Sequence, residues 1–267
     1  MKVTGENIYA HAADSLEDDF DIAPVSASDP EDAEESDDSE QVQAAPVKRK
    51  DPVSVSKPKK KVKFHGNADL SSMAPIEICD FFWAKLRNTF PDSSELELEP
   101  AKLREDSCFD NSSFEMAHTI ADFPAFVRAT VSSSESLSQR SGCNGAPIVL
   151  VITPSAIRAA SVARAIKDAC GELKVAKLFA KHLKVEEQTT FLKSSDITLG
   201  AGSPNRITKL VELGSLKLDR LQVVVIDLFK DPKHRTLFDV PECSKDFFHF
   251  YRSCILPLNS NVKLAFF

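Results

Sequence analysis

Apolar and polar positions divide the chain into two regimes. Apolar residues are sparse up to about Met73, and their density stays high from there to Phe267. Within the dense part, Pro75 to Phe90 places Ile78, Phe81, Phe82, Leu86 and Phe90 at helical spacing, with a proline in the first turn. Trp83 is expected to pack in the core or cover its edge. Ser113 to Val131 repeats the helical pattern through Met116, Ile120, Phe123 and Val127, with Pro124 as a point of kinking or splitting. Ser132 to Gly145, rich in Ser, Gly and Asn, reads as a mobile loop. The pattern then changes to short aliphatic runs. Ile148 to Ile152 is continuous and mostly β-branched between two prolines, which marks a strand buried on both faces. Ser155 caps a helix running to about Cys170, stopped by Gly171. Val175 to Phe179 is a second strand, and Val185 to Leu192 a helix with Glu186, Glu187 and Gln188 outward. Ile197 to Leu199 is a third strand, ending in Gly200-Ala201-Gly202. Ser203-Pro204 opens a helix through Ile207, Leu210 and Val211 that Gly214 stops. Leu221 to Ile226 and Val262 to Phe267 are the fourth and fifth strands. Strands alternating with helices predict an α/β domain with a mostly parallel sheet flanked by helices.

Charge sharpens the division. The 267 residues carry a formal net charge of -7, but Val3 to Val47 holds 14 acidic residues and no Lys or Arg. Lys48 to Lys63 then holds eight basic residues against the single Asp51. Such segments repel themselves and bury little apolar surface, so the sequence predicts a disordered acidic tail over 1–47 and a basic linker over 48–73, before a folded domain over 74–267. The acidic block suits either a solvated spacer or a contact with basic partners, and Ser36 and Ser39 within it are candidate phosphorylation sites. Lys48, Arg49 and Lys50, then Lys57, Lys59, Lys60, Lys61 and Lys63, form two clusters fit for the acidic grooves of a nuclear import receptor. The same cations suit phosphates, or a plain solvated linker. No apolar run approaches the ~20 residues that span a bilayer, and no secretory signal opens the chain. The six cysteines form no CxxC pair, so neither a zinc ribbon nor a thioredoxin-type motif is present.

Candidate chemistry begins at Asp227, which follows a buried strand. An Asp there can hold magnesium in a nucleotide hydrolase, but such an enzyme also needs a glycine-rich phosphate cradle with a lysine. No glycine occurs from Asn67 to Ser141, and no GKT or GKS occurs anywhere. Gly200-Ala201-Gly202 lacks the third glycine of a dinucleotide fingerprint, and no Gly-x-Ser-x-Gly elbow is present. His182 is a lone histidine without a nameable Asp or Cys partner, and it reads as a surface or cap residue rather than a general base. His234 and His249 have no partner at metal-ligand spacing and read as structural. No catalytic residue, cofactor or metal is expected.

Two stretches make the domain less anonymous. Lys177-Leu178-Phe179-Ala180-Lys181-His182-Leu183-Lys184-Val185 and Leu199-Gly200-Ala201-Gly202-Ser203-Pro204-Asn205-Arg206-Ile207 resemble the CMS family of eukaryotic small-subunit ribosome-biogenesis proteins. Ser155-Ala156-Ile157-Arg158-Ala159, Asp106-Ser107-Cys108-Phe109 and the layout of acidic tail, basic block and α/β domain are similar to it as well. The resemblance covers about Pro75 to Phe267. That family is in turn similar to the first RecA-like domain of DEAD-box RNA helicases. Thr153-Pro154-Ser155-Ala156 stands in place of the helicase Pro-Thr-Arg-Glu-Leu-Ala motif, and Ser203-Pro204-Asn205-Arg206 in place of Thr-Pro-Gly-Arg, both of which touch RNA backbone. Asp227-Leu228-Phe229-Lys230 stands where Asp-Glu-Ala-Asp would be, with only the first Asp kept. The resemblance implies a single RecA-like domain that has become a non-catalytic scaffold of the early small-subunit pre-ribosome. The implied location is the nucleus and nucleolus, and the implied partners are assembly factors and pre-rRNA.

The residues give this a physical form. Ser203 and Pro204 start a helix whose free N–H groups suit a phosphate, and Arg206 adds donors. Pro154, Ser155 and Arg158 follow one strand, and Lys181, His182 and Lys184 follow another. All three segments are expected on one rim of the sheet, where strand carboxyl ends lie. Such a rim suits RNA backbone without base reading, or is ordinary helix capping and surface charge. Asn205 and Ala156 depart from the helicase pattern, and the folded part's net charge is near zero. Two other classes remain open: an acidic-tailed nuclear chaperone of basic proteins, and an ATP-dependent RNA helicase-like enzyme.

Overall fold

The aliphatic runs become five four-residue strands: β1 (Val149–Ile152), β2 (Val175–Leu178), β3 (Leu199–Gly202), β4 (Val223–Ile226) and β5 (Lys263–Phe266). They form one parallel sheet in the order β2-β3-β1-β4-β5. The computed structural model describes residues 73–131, 137, 142–171, 173–258 and 262–267. The chain divides into two units, Met1–Lys63 and Phe64–Phe267, and every described residue lies in the second. The acidic and basic blocks, the eight import-signal cations and most of the expected Ser132 to Gly145 loop fall outside the described residues.

Helices cover both faces, which is why the central strands β1 and β4 are aliphatic throughout. Alternate strand residues face opposite layers. Leu150, Ile152, Leu178, Val224, Ile226, Leu264 and Phe266 meet α1 (Pro75–Thr89), α5 (Pro204–Glu212) and α6 (Pro241–Phe250). Val149, Val151, Leu199, Ala201, Val223 and Val225 meet α2 (Phe123–Thr130) and α3 (Ala156–Ala169). The remaining described helix of more than one turn is α4 (Val185–Ser194). α1 buries Ile78, Cys79, Phe82 and Leu86, and Phe82 sits edge-on to Phe248 and Tyr251 at 5.3 and 5.0 Å between ring centres. Trp83 is partly buried against the same cluster, as expected.

Several elements differ from expectation for physical reasons. The helix expected over Ser113 to Val131 forms only as α2. Pro124 has no N–H to give and takes the first turn, so the residues before it form turns and Met116 is exposed. The capped helix after β1 ends at Ala169, but Gly171 is not in the left-handed region, and Cys170 leaves the helical conformation first. Gly214 does stop α5, at φ +64°. β3 begins only at Leu199, not Ile197, and the Gly200-Ala201-Gly202 stretch expected at its end makes up most of its length. A Cβ on Gly202 would lie 1.9 Å from the Leu178 carbonyl oxygen, so only glycine permits this approach of β3 to β2.

Beyond β5 the sheet has a vestigial edge. Cys108 bridges Leu264 in parallel, and the Phe109 N–H donates to the Leu264 carbonyl at 2.8 Å. The buried Asn111 carboxamide then continues the ladder, donating to the Phe266 carbonyl and accepting from the Phe266 N–H. A side chain thus does the work of a peptide group and leaves no bare edge at β5.

Candidate functional site

The register levels the carboxyl ends of the strands: Ile152 pairs with Gly202 and Ile226, Gly202 with Leu178, and Ile226 with Phe266. The segments that follow therefore leave from one rim. The chain turns toward β2 after β1 and toward β5 after β4, so the strand order reverses between β1 and β4. Parallel sheets place ligand crevices at such a point.

Here that crevice holds an ion pair. Asp227, immediately after β4, is fully buried. Arg158, in the first turn of α3, donates from Nε to one carboxylate oxygen at 2.7 Å and from Nη2 to the other at 3.2 Å. The Phe229 N–H donates to the same carboxylate at 3.2 Å. The guanidinium carbon lies 4.5 Å over the Phe229 ring centre, a cation–π contact that covers one ring face. Local structure dictates the meeting. The Ser155 hydroxyl accepts from the Arg158 N–H at 3.2 Å and starts α3 there, while the Asp227 N–H donates to the Ile152 carbonyl at 2.9 Å. Buried Thr153 braces the turn by donating to the Ser155 carbonyl at 3.1 Å. Burial pushes the Asp227 carboxyl up from its ordinary value, against the opposing pull of Arg158 and the Phe229 N–H.

A second cross-link ties the rim at β2 and β3. Arg206, in the first turn of α5, donates from Nη1 to the Leu183 carbonyl at 2.9 Å and to Gln188 Oε1 at 2.7 Å. Gln188 Nε2 in turn donates to the carbonyls of Lys177 at 2.8 Å and Phe179 at 3.1 Å. Gln188, expected to point outward, is instead buried, with its amide donating to these carbonyls. Partial burial lowers the Arg206 guanidinium from its ordinary value, while Glu186 raises it. Replacing Gln188 by Leu removes the donor to the Lys177 and Phe179 carbonyls and one of the two acceptors of Arg206. Chemical denaturation is expected to show a loss of about 1–3 kcal/mol. Amides of 179–184 should exchange faster in the same variant.

All nine rim residues read from the sequence lie at this edge, but not in one role. Lys181, His182 and Lys184 are exposed in the loop after β2, with His182 at φ +62°. Phe179 and Leu183 anchor that loop on Ala159 of α3. Ser155 is exposed and caps α3, and Pro154 is half-buried with its carbonyl toward the Cys243 thiol. Ser203 is half-buried, its N–H donates to the Leu178 carbonyl at 3.2 Å, and Pro204 is buried in the first turn of α5. Arg158 and Arg206, expected as outward phosphate ligands, instead turn inward and hold the rim together. Gln188 and Phe229 were missed as rim residues, and Thr153 was read only as part of the motif after β1. The signal for Gln188 lay in its tertiary partners, and that for Phe229 in an aromatic standing beside a strand-end Asp. Among the described residues, no three His, Cys, Asp or Glu side chains gather as a metal site.

Residues 28–258 match the family described as CMS1, U3-containing 90S pre-ribosomal complex subunit. The chain belongs to that family, as the motifs after β1, β2 and β3 implied. Protein CMS1 of Chaetomium thermophilum is 33% identical over 167 residues, which cover 62% of this chain and 66% of that protein. Human protein CMSS1 is 33% identical over 192 residues, covering 68% of this chain and 66% of the relative. The matched stretch thus spans just under two thirds of these relatives' length. Among solved structures, Saccharomyces cerevisiae Dbp5 bound to Nup159, Gle1, IP6 and ADP aligns with a TM-score of 0.41 and 13% identity. That alignment covers 57% of this chain and 36% of the other.

Proposed function

We propose that this protein is a non-catalytic subunit of the early small-subunit pre-ribosome, working in the nucleolus as a scaffold for assembly factors and pre-rRNA. Its family supports the assembly: the family description names a U3-containing 90S pre-ribosomal complex. The observation that carries the non-catalytic part is the bidentate Arg158–Asp227 pair. It spends the strand-end carboxylate on a structural contact inside the crevice where a nucleotide hydrolase would use it to hold magnesium. The exposed Lys181, His182 and Lys184, with Pro154, Ser155, Ser203, Pro204 and the flanks of Arg158 and Arg206, form the RNA-facing rim in this reading. Lys48, Arg49, Lys50, Lys57, Lys59, Lys60, Lys61 and Lys63 carry the chain into the nucleus through an import receptor.

The test is purification of the tagged full chain from nuclear extract, with U3 RNA measured in the eluate and ATP turnover measured on the purified protein. Enrichment of U3 RNA over other small RNAs, with no turnover above an Asp227→Ala control, is the expected result. Turnover that the control lacks overturns the non-catalytic role, and absence of U3 enrichment overturns the assembly role.

A further inference from the structure

The segment leaving the Arg158–Asp227 pair has a chemistry of its own. Phe229 is 45% exposed although its ring lies against the Arg158 guanidinium. The pair fixes that ring from two sides. Asp227 holds the guanidinium on one ring face and takes the Phe229 N–H, so ring and backbone are both anchored to a buried carboxylate. Nearly half of the residue stays open to a ligand, and an immobilised ring loses little conformational freedom on binding one.

The next residues form a rigid cationic turn. The Asp231 carboxylate accepts from the Lys233 and Arg235 N–H groups at 2.8 Å each and from Arg235 Nε at 2.9 Å. The Asp231 N–H closes the turn on the Arg235 carbonyl at 2.9 Å, and His234 takes the left-handed region at φ +58°. Asp231 is thus consumed within the turn. Lys230 and Lys233 are exposed and form no ion pair among the described residues. An anchored aromatic face followed in the chain by two uncompensated lysines suits a single strand, which offers both bases and phosphates. An acidic peptide would use the lysines and leave the ring idle, and an apolar peptide would do the reverse.

We infer that Phe229, backed by Arg158 and followed by Lys230 and Lys233, is a stacking platform for one base of single-stranded RNA. The inference rests on the proposed RNA contact and assigns it to residues outside the rim motifs. It is tested on the full chain with a fluorescent oligoadenylate RNA and an abasic strand of equal length. Phe229→Ala is expected to weaken oligoadenylate binding about tenfold. Phe229→Trp should restore it, and the abasic strand should bind wild type and Phe229→Ala alike. Lys230→Ala with Lys233→Ala should lower the slope of log affinity against log salt by about 1.4. If Phe229→Ala binds oligoadenylate as wild type does while Lys181→Glu with Lys184→Glu abolishes binding, the platform is wrong and the RNA contact stands elsewhere on the rim. If wild type binds neither strand, the platform and the RNA contact fail together.

Discussion

Arg158→Ala is expected to destabilise the domain by about 3–5 kcal/mol, the usual cost of stripping one partner from a buried ion pair. Against a typical total of about 5–15 kcal/mol this is a large fraction. The cause is Asp227, fully buried, which would keep only the Phe229 N–H. With the guanidinium gone, burial raises the Asp227 carboxyl almost unopposed. Its folded-state value, already above the ordinary one, then rises further, so the folded protein holds a proton that the unfolded chain releases over a wider pH range than in wild type. The stability that this protonation retains is complete below the unfolded value and is lost as pH rises through the folded one. Urea denaturation should therefore show a larger deficit at about pH 8 than at about pH 5. Arg158→Met combined with Asp227→Leu should recover most of the loss, because a packed apolar pair needs no charge compensation. A double variant as unstable as Arg158→Ala would show that the pair is not what holds the crevice.

Gly202→Ala is expected to cost about 3 kcal/mol, the upper part of the usual range for overpacking. Its Cβ would fall 1.9 Å from the Leu178 carbonyl oxygen and 2.7 Å from the Leu178 Cβ. The obstacle is backbone, which cannot rotate away, so β2 must separate from β3. Two tethers sit at that junction, the Ser203 N–H on the Leu178 carbonyl and the Arg206–Gln188–Phe179 chain. Thermal melting should drop, and hydrogen exchange in β2 should rise more than in β4. Gly214→Ala is the control, since a Cβ there meets nothing within 4 Å and only the positive φ is penalised.

The sheet was legible because its central strands are buried on both faces and must be written in aliphatics, as Val149 to Ile152 and Val223 to Ile226 are. The caps were legible for a local reason: Ser155 and Gly214 act within a few residues of themselves. What escaped depended on distance along the chain. Gln188 looks like one more polar residue after Glu186 and Glu187, and its partners Phe179 and Arg206 belong to other elements. Arg158 and Asp227 stand 69 residues apart, so Arg158 reads as a rim residue, Asp227 as a strand-end carboxylate, and neither as half of a pair. α6 escaped for the opposite reason. Its period is present, with Ser244, Phe247 and Phe248 buried opposite exposed Glu242, Lys245 and His249, but the run of phenylalanines hides it in a plain hydropathy reading.

The most direct test of the central claim is the recovery of U3 RNA with tagged Asp227→Asn, compared with wild type at a temperature where circular dichroism shows both folded. Asn keeps an acceptor for Arg158 and removes the charge that a metal or nucleotide would need. Equal recovery is the expected result, since the residue holds the rim and performs no chemistry. A folded Asp227→Asn protein that fails to recover U3 RNA would contradict a purely structural crevice and return Asp227 to a ligand-binding role.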